Sequence, residues 1–270
     1  MVFPRWPYRR RHIALRDMTE TAPPLPIHTR AAIFLRLFAV QGSWNYEMLL
    51  GNGIAFAVEP ALRLLPGGRG GDAYRAAMKR QVGYFNAHPY FAGVAVGALA
   101  RAELSGEPPE RIERFRTACC GPLGSVGDRL VWAGWLPLCS LLALAAFGLG
   151  ASPTVVVLLF LGFYNVGHVW LRAWGLHAGY RDGLRVATAL GAPLLRQGPA
   201  HVARSAALLA GIALPLAVRA IIGPGRGSLT AVFVASAAGA IVLARLHGRV
   251  EGWRVAGYGL AAFILFSVVR

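Results

Sequence analysis

Five apolar stretches, at residues 130–150, 153–171, 205–222, 229–246 and 253–269, each come close to the length a helix needs to cross the hydrocarbon core of a bilayer. Stretches of this kind confine a chain to membrane-spanning helices more firmly than any local propensity does. The balance of residues agrees: 56% of the 270 residues are hydrophobic and 15% charged, and the mean hydropathy is +0.49, too apolar for an ordinary soluble domain of this size. The expected fold is an all-α integral membrane protein, a multi-span helical bundle.

Charge sets the expected orientation. The chain has 28 Lys and Arg against 12 Asp and Glu, and Lys79 is the one lysine among them. A nucleic-acid partner would need a basic face on a recognisable binding module, and none is present, so the excess is read as positive-inside topology. Residues 1–36 hold seven Arg, 63–116 nine Lys or Arg and 172–204 five, whereas Ala151 and Ser152 form a turn without any. The segments 219–228 and 245–254 then hold two and three. This alternation puts the N-terminus in the cytoplasm and the C-terminus outside. Residues 1–30, with Arg5, Arg9, Arg10, Arg11 and Arg16 ahead of Pro23, Pro24 and Pro26, lack the apolar core of a secretory signal and are expected to lie as a basic tail near anionic lipid, with Met18 as a second conceivable start.

The N-terminal half departs from simple spanning helices. Residues 31–65 and 89–104 are apolar yet interrupted by Gly and polar groups, and the second is too short to span, which is the pattern of broken or re-entrant helices around a transport path. The PGGRGG stretch at 66–71 lacks the Lys-Ser/Thr ending of a phosphate-binding loop. The alternating charges of 103–116 fit a solvated helix face. Cys119, Cys120 and Cys139 have neither the spacing of a metal site nor that of a redox pair, and no cofactor, metal or covalent catalytic motif is expected.

Three polar clusters stand out against this background. In QGSWNYE, residues 41–47, two amides, two aromatic rings and a carboxylate fall within seven residues. Polar groups at membrane depth usually face a partner, a cavity or a substrate path. If 41–59 were one helix, Gln41, Asn45, Asn52 and Glu59 would form a narrow polar stripe, with Trp44 and Glu47 beside it. Amides and carboxylates hydrogen-bond sugar hydroxyls, and an aromatic plate covers the apolar face of a sugar ring. Knitting of helices by the same groups is the competing reading, and Gly42, Gly51 and Gly53 are placed to break the helix. In YFNAHPY, residues 84–90, Pro89 sets a helix boundary and leaves Asn86 and His88 at an element end. In GPLGSVGD, residues 121–128, glycines recur every third position ahead of Asp128, open either to close approach of a polar ligand or to close helix packing with a local Asp128–Arg129 pair. His168 and His177 are read as interhelical hydrogen-bonding groups.

These clusters, in this order, resemble the IID membrane component of the mannose/fructose/sorbose family of the bacterial sugar phosphotransferase system (PTS). QGSWNYE is similar to that family's Q-x-S-W/F-N-Y/F-E, YFNAHPY to its F-F-N-T-x-P-Y/F, and GPLGSVGD to its G-P-L-A-G-x-G-D. Trp132, Pro137, the NVGH at 165–168 and the Gly179–Tyr180 pair follow at matching spacing. The resemblance covers about residues 30–190, with a weaker match at 250–269.

The resemblance implies a bacterial inner-membrane subunit that pairs with a IIC subunit, as a trimer of heterodimers, to translocate a hexose-type sugar. That sugar is phosphorylated by a soluble IIB protein fed by IIA, so the chain needs no phosphoryl-carrying residue of its own. It also implies a substrate or gating role for Gln41, Trp44, Asn45 and Glu47, with Asn86 and Asp128 second. Organisation is expected as a basic tail over 1–30, a core with the sugar-path motifs over 31–190 and C-terminal transmembrane helices over 191–270. Three departures from the family pattern stand out: Met48-Leu49-Leu50 replaces an Arg-Met-Gln, Arg129 replaces a small or apolar residue, and Leu136 replaces an Arg. They leave a second reading open, a paralogue that serves regulation or assembly without transporting.

Overall fold

The computed structural model describes residues 24–185 and 193–222, with the isolated positions 234, 238 and 245. The expected basic tail up to residue 23 and the apolar stretch 253–269 lie outside the described residues, as does 229–246 apart from those three positions. Among the described residues the elements are helical, and extended pairing is limited to the isolated bridges Asn45–Leu49 and Leu49–Phe85. This is the all-α membrane fold that the apolar stretches predict.

The N-terminal half is built from short helices, as its interrupted hydropathy requires. α1 (Ile27–Arg36), α2 (Gly51–Leu62), α3 (Asp72–Gln81) and α4 (Ala92–Leu104) are 10, 12, 10 and 13 residues long. At about 1.5 Å per residue none reaches the roughly 30 Å of a bilayer core. α5 (Pro109–Gly127) starts on Pro109, whose missing N–H costs nothing in a first turn. It then runs through a π-helical segment, Asp128–Trp135, into α6 (Leu136–Gly148). Pro137 has no N–H for the carbonyl one turn earlier, and the wide turns lie directly upstream of it. α7 (Pro153–Asp182) and α8 (Pro193–Ile222) are 30 residues each.

Among the described residues, three helical stretches are long and apolar enough to cross a membrane: Pro109–Gly148, Pro153–Arg185 and Gln197–Ile221. They take in nearly all of the sequence's apolar stretches 130–150, 153–171 and 205–222. The first is twice as long as the sequence suggests, because the glycine-rich 121–128 is helical and continues α5.

The described residues divide into two compact units, one within Met1–Gly127 and Trp170–Ala192, the other within Asp128–Val169 and Pro193–Arg270. The core of the first is α4, buried nearly all round, against α2, with Ile54, Val58, Leu62, Phe85, Val94 and Leu99 fully enclosed. α4 also meets the C-terminal part of α7 through two matching Gly-x-x-x-Gly pairs, Gly93 with Gly97 and Gly175 with Gly179. A Cβ on Gly97 would lie 2.5 Å from the Leu176 carbonyl oxygen and 2.6 Å from the Tyr180 nitrogen. In the second unit α6 and the π-helical segment pack on α8, with Gly148 against Leu216 and Gly134 against Val202. Only 6% of the apolar window of the Pro153–Arg185 stretch is buried within the chain, and Val157, Leu161 and Val166 face outward, a surface suited to lipid.

Candidate functional site

QGSWNYE is not helical. Residues 40–50 form successive turns between α1 and α2, so the stripe running from Gln41 through Asn45 and Asn52 to Glu59 does not exist as one face. The cause is local. The Asn45 side-chain oxygen accepts hydrogen bonds from the backbone N–H groups of Glu47 at 3.0 Å and Met48 at 2.9 Å, and its amide donates to the Ser43 carbonyl at 3.3 Å. Such an Asx turn gives the backbone a partner that a helix would otherwise supply. It leads into Leu49, whose φ of 48° is left-handed for a residue with a Cβ, a strain of about 1–2 kcal/mol.

That strain is held by the second cluster. The Leu50 N–H donates to the Phe85 carbonyl at 2.9 Å, and the Phe85 N–H donates to the Met48 carbonyl at 3.3 Å. Phe85 itself is fully buried. YFNAHPY is in turn fastened to the third cluster: the His88 N–H donates to the Leu123 carbonyl at 3.4 Å, the Asn86 N–H to Cys120 Sγ at 3.5 Å, and Gly127 leaves the space that the His88 ring fills. The first two motifs and residues 121–127 of the third thus meet in one unit, on backbone donors and one glycine.

Two polar networks brace this assembly. Glu103, at the end of α4, accepts from Arg80 at 2.5 Å and from the Gln81 amide at 2.8 Å. The Gln81 oxygen accepts from Arg116 at 2.6 Å, and Arg116 donates onward to the Gly83 carbonyl at 2.7 Å. Glu103, Gln81 and Arg116 are buried, and the chain of bonds satisfies them while fixing the start of YFNAHPY. The second network centres on Glu59, which accepts from Arg36 at 2.8 Å, Arg63 at 2.7 Å, Arg69 at 3.0 Å and the Tyr74 hydroxyl at 3.1 Å. Burial pushes this carboxyl up, and the hydrogen bonds from Arg63, Arg69, Arg36 and Tyr74 outweigh it and hold it down to about 2. Glu59 therefore anchors α1 and the glycine-rich turn at Arg69 to α2, and is no part of a polar stripe.

His88 is 2% exposed, its Nδ1 accepts from the Tyr90 N–H at 3.2 Å, and Arg172 stacks over the Tyr90 ring at 4.4 Å. Burial first, and the Arg172 charge second, lower its pKa to about 4. It is a neutral imidazole at physiological pH.

Gln41, Trp44, Glu47 and Asn86 are exposed and Asn45 half-buried, all in the first unit. Their segments are joined by the Leu50–Phe85 pairing. Asp128 opens the π-helical segment in the second unit, exposed and without an ion pair among the described residues. The motifs also hold two exposed rings that the sequence reading did not single out. Tyr46 lies edge-on to Trp44 with ring centres 4.8 Å apart, and Tyr84 flanks the Phe85 pairing. Alternation of aromatic and polar residues inside the motifs was the available signal. No group of side chains suited to a metal occurs among the described residues.

The chain has relatives among known proteins. The family described as "PTS system mannose/fructose/sorbose family IID component" matches residues 25–223. The mannose-specific EIID component of Escherichia coli (strain K12) is 29% identical over 188 residues, 66% of this chain and 64% of that protein. The sorbose-specific EIID component of Klebsiella pneumoniae is 31% identical over 173 residues, 62% of this chain and 61% of that protein. The chain thus spans a little under two thirds of these curated relatives. Among solved structures, a chain of the mannose transporter ManYZ in complex with microcin E492 shares the fold with a TM-score of 0.53 at 22% identity, over 91% of this chain and 97% of that one. A second solved membrane protein shares it at 0.65 and 22% identity, over 91% and 98%.

Proposed function

Because the chain belongs to the mannose/fructose/sorbose family of PTS IID components, we propose that it works as the IID subunit of a sugar uptake complex in the bacterial inner membrane. In this reading it pairs with a IIC subunit, as a trimer of heterodimers, and the incoming hexose-type sugar is phosphorylated at the cytoplasmic face by IIB. The N-terminus is cytoplasmic, following the distribution of arginine.

The observation that carries the reading is the joining of QGSWNYE, YFNAHPY and the end of GPLGSVG through the Leu50–Phe85 bond and the Gly127–His88 packing. It supports a sugar path at Gln41, Trp44, Glu47 and Asn86, with exposed amides, a carboxylate and an indole to meet hydroxyls and a ring face. Asn45 contributes chiefly by holding the turn that presents them, and Asp128, in the second unit, is a further path residue. The test is sugar uptake and phosphorylation in cells carrying Glu47→Ala or Trp44→Ala in an otherwise complete complex. Rates unchanged from the parent would remove the site.

A non-transporting paralogue is the second reading, motivated by Met48, Leu49, Leu50, Arg129 and Leu136. Against it, Met48 and Leu50 serve the Phe85 pairing through their backbone, which side-chain identity leaves untouched. Flux into reconstituted vesicles separates the two: the paralogue binds IIC and moves no sugar.

A further inference from the structure

A cleft of about 250 Å³ opens between the start of α1 and the last turns of α7, lined by Pro24, Leu25, Arg30, Leu176, His177, Tyr180 and Arg181. The lining is divided by chemistry. Leu25 and Leu176 are buried apolar surface, and Pro24 extends it. Arg30, His177 and Arg181 are exposed, and His177 and Arg181 stand one helical turn apart on the same face of α7.

The charge of this region is unbalanced. Arg181 donates both its Nε and Nη2 groups to Asp182, at 2.7 and 2.9 Å. Arg101 donates to the carbonyls of Tyr180 and Arg181, closing the end of the helix. Arg30 forms no ion pair among the described residues. Among the described residues, the two guanidinium groups of the lining, Arg30 and Arg181, are therefore set against the one carboxylate of Asp182, with the His177 imidazole beside them, where an apolar membrane stretch gives way to a polar helix end.

We infer that this cleft binds a phosphate group, supplied by the headgroup of an anionic phospholipid. Arginine presents paired donors that match phosphate oxygens, His177 adds a donor and Tyr180 lies in the same wall. The apolar wall favours an amphiphile over a free ion: the phosphate meets Arg30 and Arg181, and the glycerol end lies against Leu25 and Leu176. A cleft of this size holds a headgroup and leaves the acyl chains in the bilayer. A cationic recess at the membrane surface is also where anionic lipid is concentrated.

The test uses the full chain purified in detergent, with phosphatidylglycerol, phosphatidylcholine or inorganic phosphate added, followed by native mass spectrometry and thermal melting. The parent should retain phosphatidylglycerol in preference to phosphatidylcholine. Arg30→Gln should cut that retention about tenfold, the loss of one charge-assisted contact, while melting like the parent without lipid; Arg30→Lys should fall between. Equal retention of the two lipids, or an Arg30→Gln protein that retains phosphatidylglycerol as the parent does, would overturn the site. A melting shift produced equally by inorganic phosphate would overturn the lipid as the source.

Discussion

Leu50 and Phe85, 35 positions apart, are tied by a backbone hydrogen bond of 2.9 Å that ends the turn of one motif on the loop of another. The turn of QGSWNYE meets YFNAHPY around this pairing, where the left-handed Leu49 bridges Phe85. Residues that hold the turn can therefore be separated by experiment from residues that meet a substrate.

Asn45 is the first case. Asn45→Ala removes the acceptor of two backbone N–H groups and should destabilise the protein by about 1 kcal/mol, as loss of a comparable cap does. Asn45→Asp keeps the acceptor and should melt near the parent. If the Asn45→Asp protein also transports, the role of Asn45 lies in the turn; if it melts normally and transports nothing, the amide itself meets the sugar.

The glycines of GPLGSVGD should not be equivalent. A Cβ on Gly127 would lie 2.5 Å from His88 Cγ, whereas nothing stands within 4 Å of one on Gly121 or Gly124. Gly127→Ala should cost about 1–3 kcal/mol through overpacking. Gly121→Ala and Gly124→Ala should be neutral or stabilise by up to about 1 kcal/mol, since both sit within a helix. Melting curves in detergent check the order, and transport lost in either of the latter two without a stability change would mark a close approach by a ligand or partner.

Acid should weaken the first unit in two steps. His88 has its pKa lowered to about 4 from an ordinary 6.5, so the unfolded chain binds the extra proton between those values. Its stabilising effect is whole above pH 6.5 and is lost as pH falls towards 4, at most about 3 kcal/mol. Glu59, held down to about 2 from 4.5, adds a loss between pH 4.5 and 2. Melting temperature against pH should lose its upper step in His88→Gln and keep its lower one.

Glu59→Gln leaves three arginines facing a neutral amide and should destabilise by about 3 kcal/mol, with earlier proteolysis at the glycine-rich turn. Arg69→Gln removes a partner that is 64% exposed and should cost no more than about 1 kcal/mol. Denaturation and limited proteolysis of the pair measure whether Glu59 is the hub.

Much of the fold was legible because lipid simplifies the code. Apolar length marked the stretches around 130–150, 153–171 and 205–222, and Pro89 marked the boundary before α4. The polar stripe over 41–59 was misread because periodicity assumes that the backbone bonds to itself, and Asn45 offers it another partner. The glycines of 121–128 left close approach of a ligand and close packing both open, and the packing at Gly127 depends on a histidine 39 positions away. The paired Gly-x-x-x-Gly sequences of α4 and α7 carry a packing signal of their own, which becomes specific once the two helices are seen to meet.

By itself the amino-acid sequence determined the helical membrane class, the short-helix character of the first half and the three polar motifs, since each rests on composition within one segment. Only the tertiary structure decided that these motifs meet, that Glu59 gathers arginines and that His88 stays neutral. Those outcomes depend on which backbone groups and charges lie next to one another after packing, and spacing along a chain does not encode that proximity.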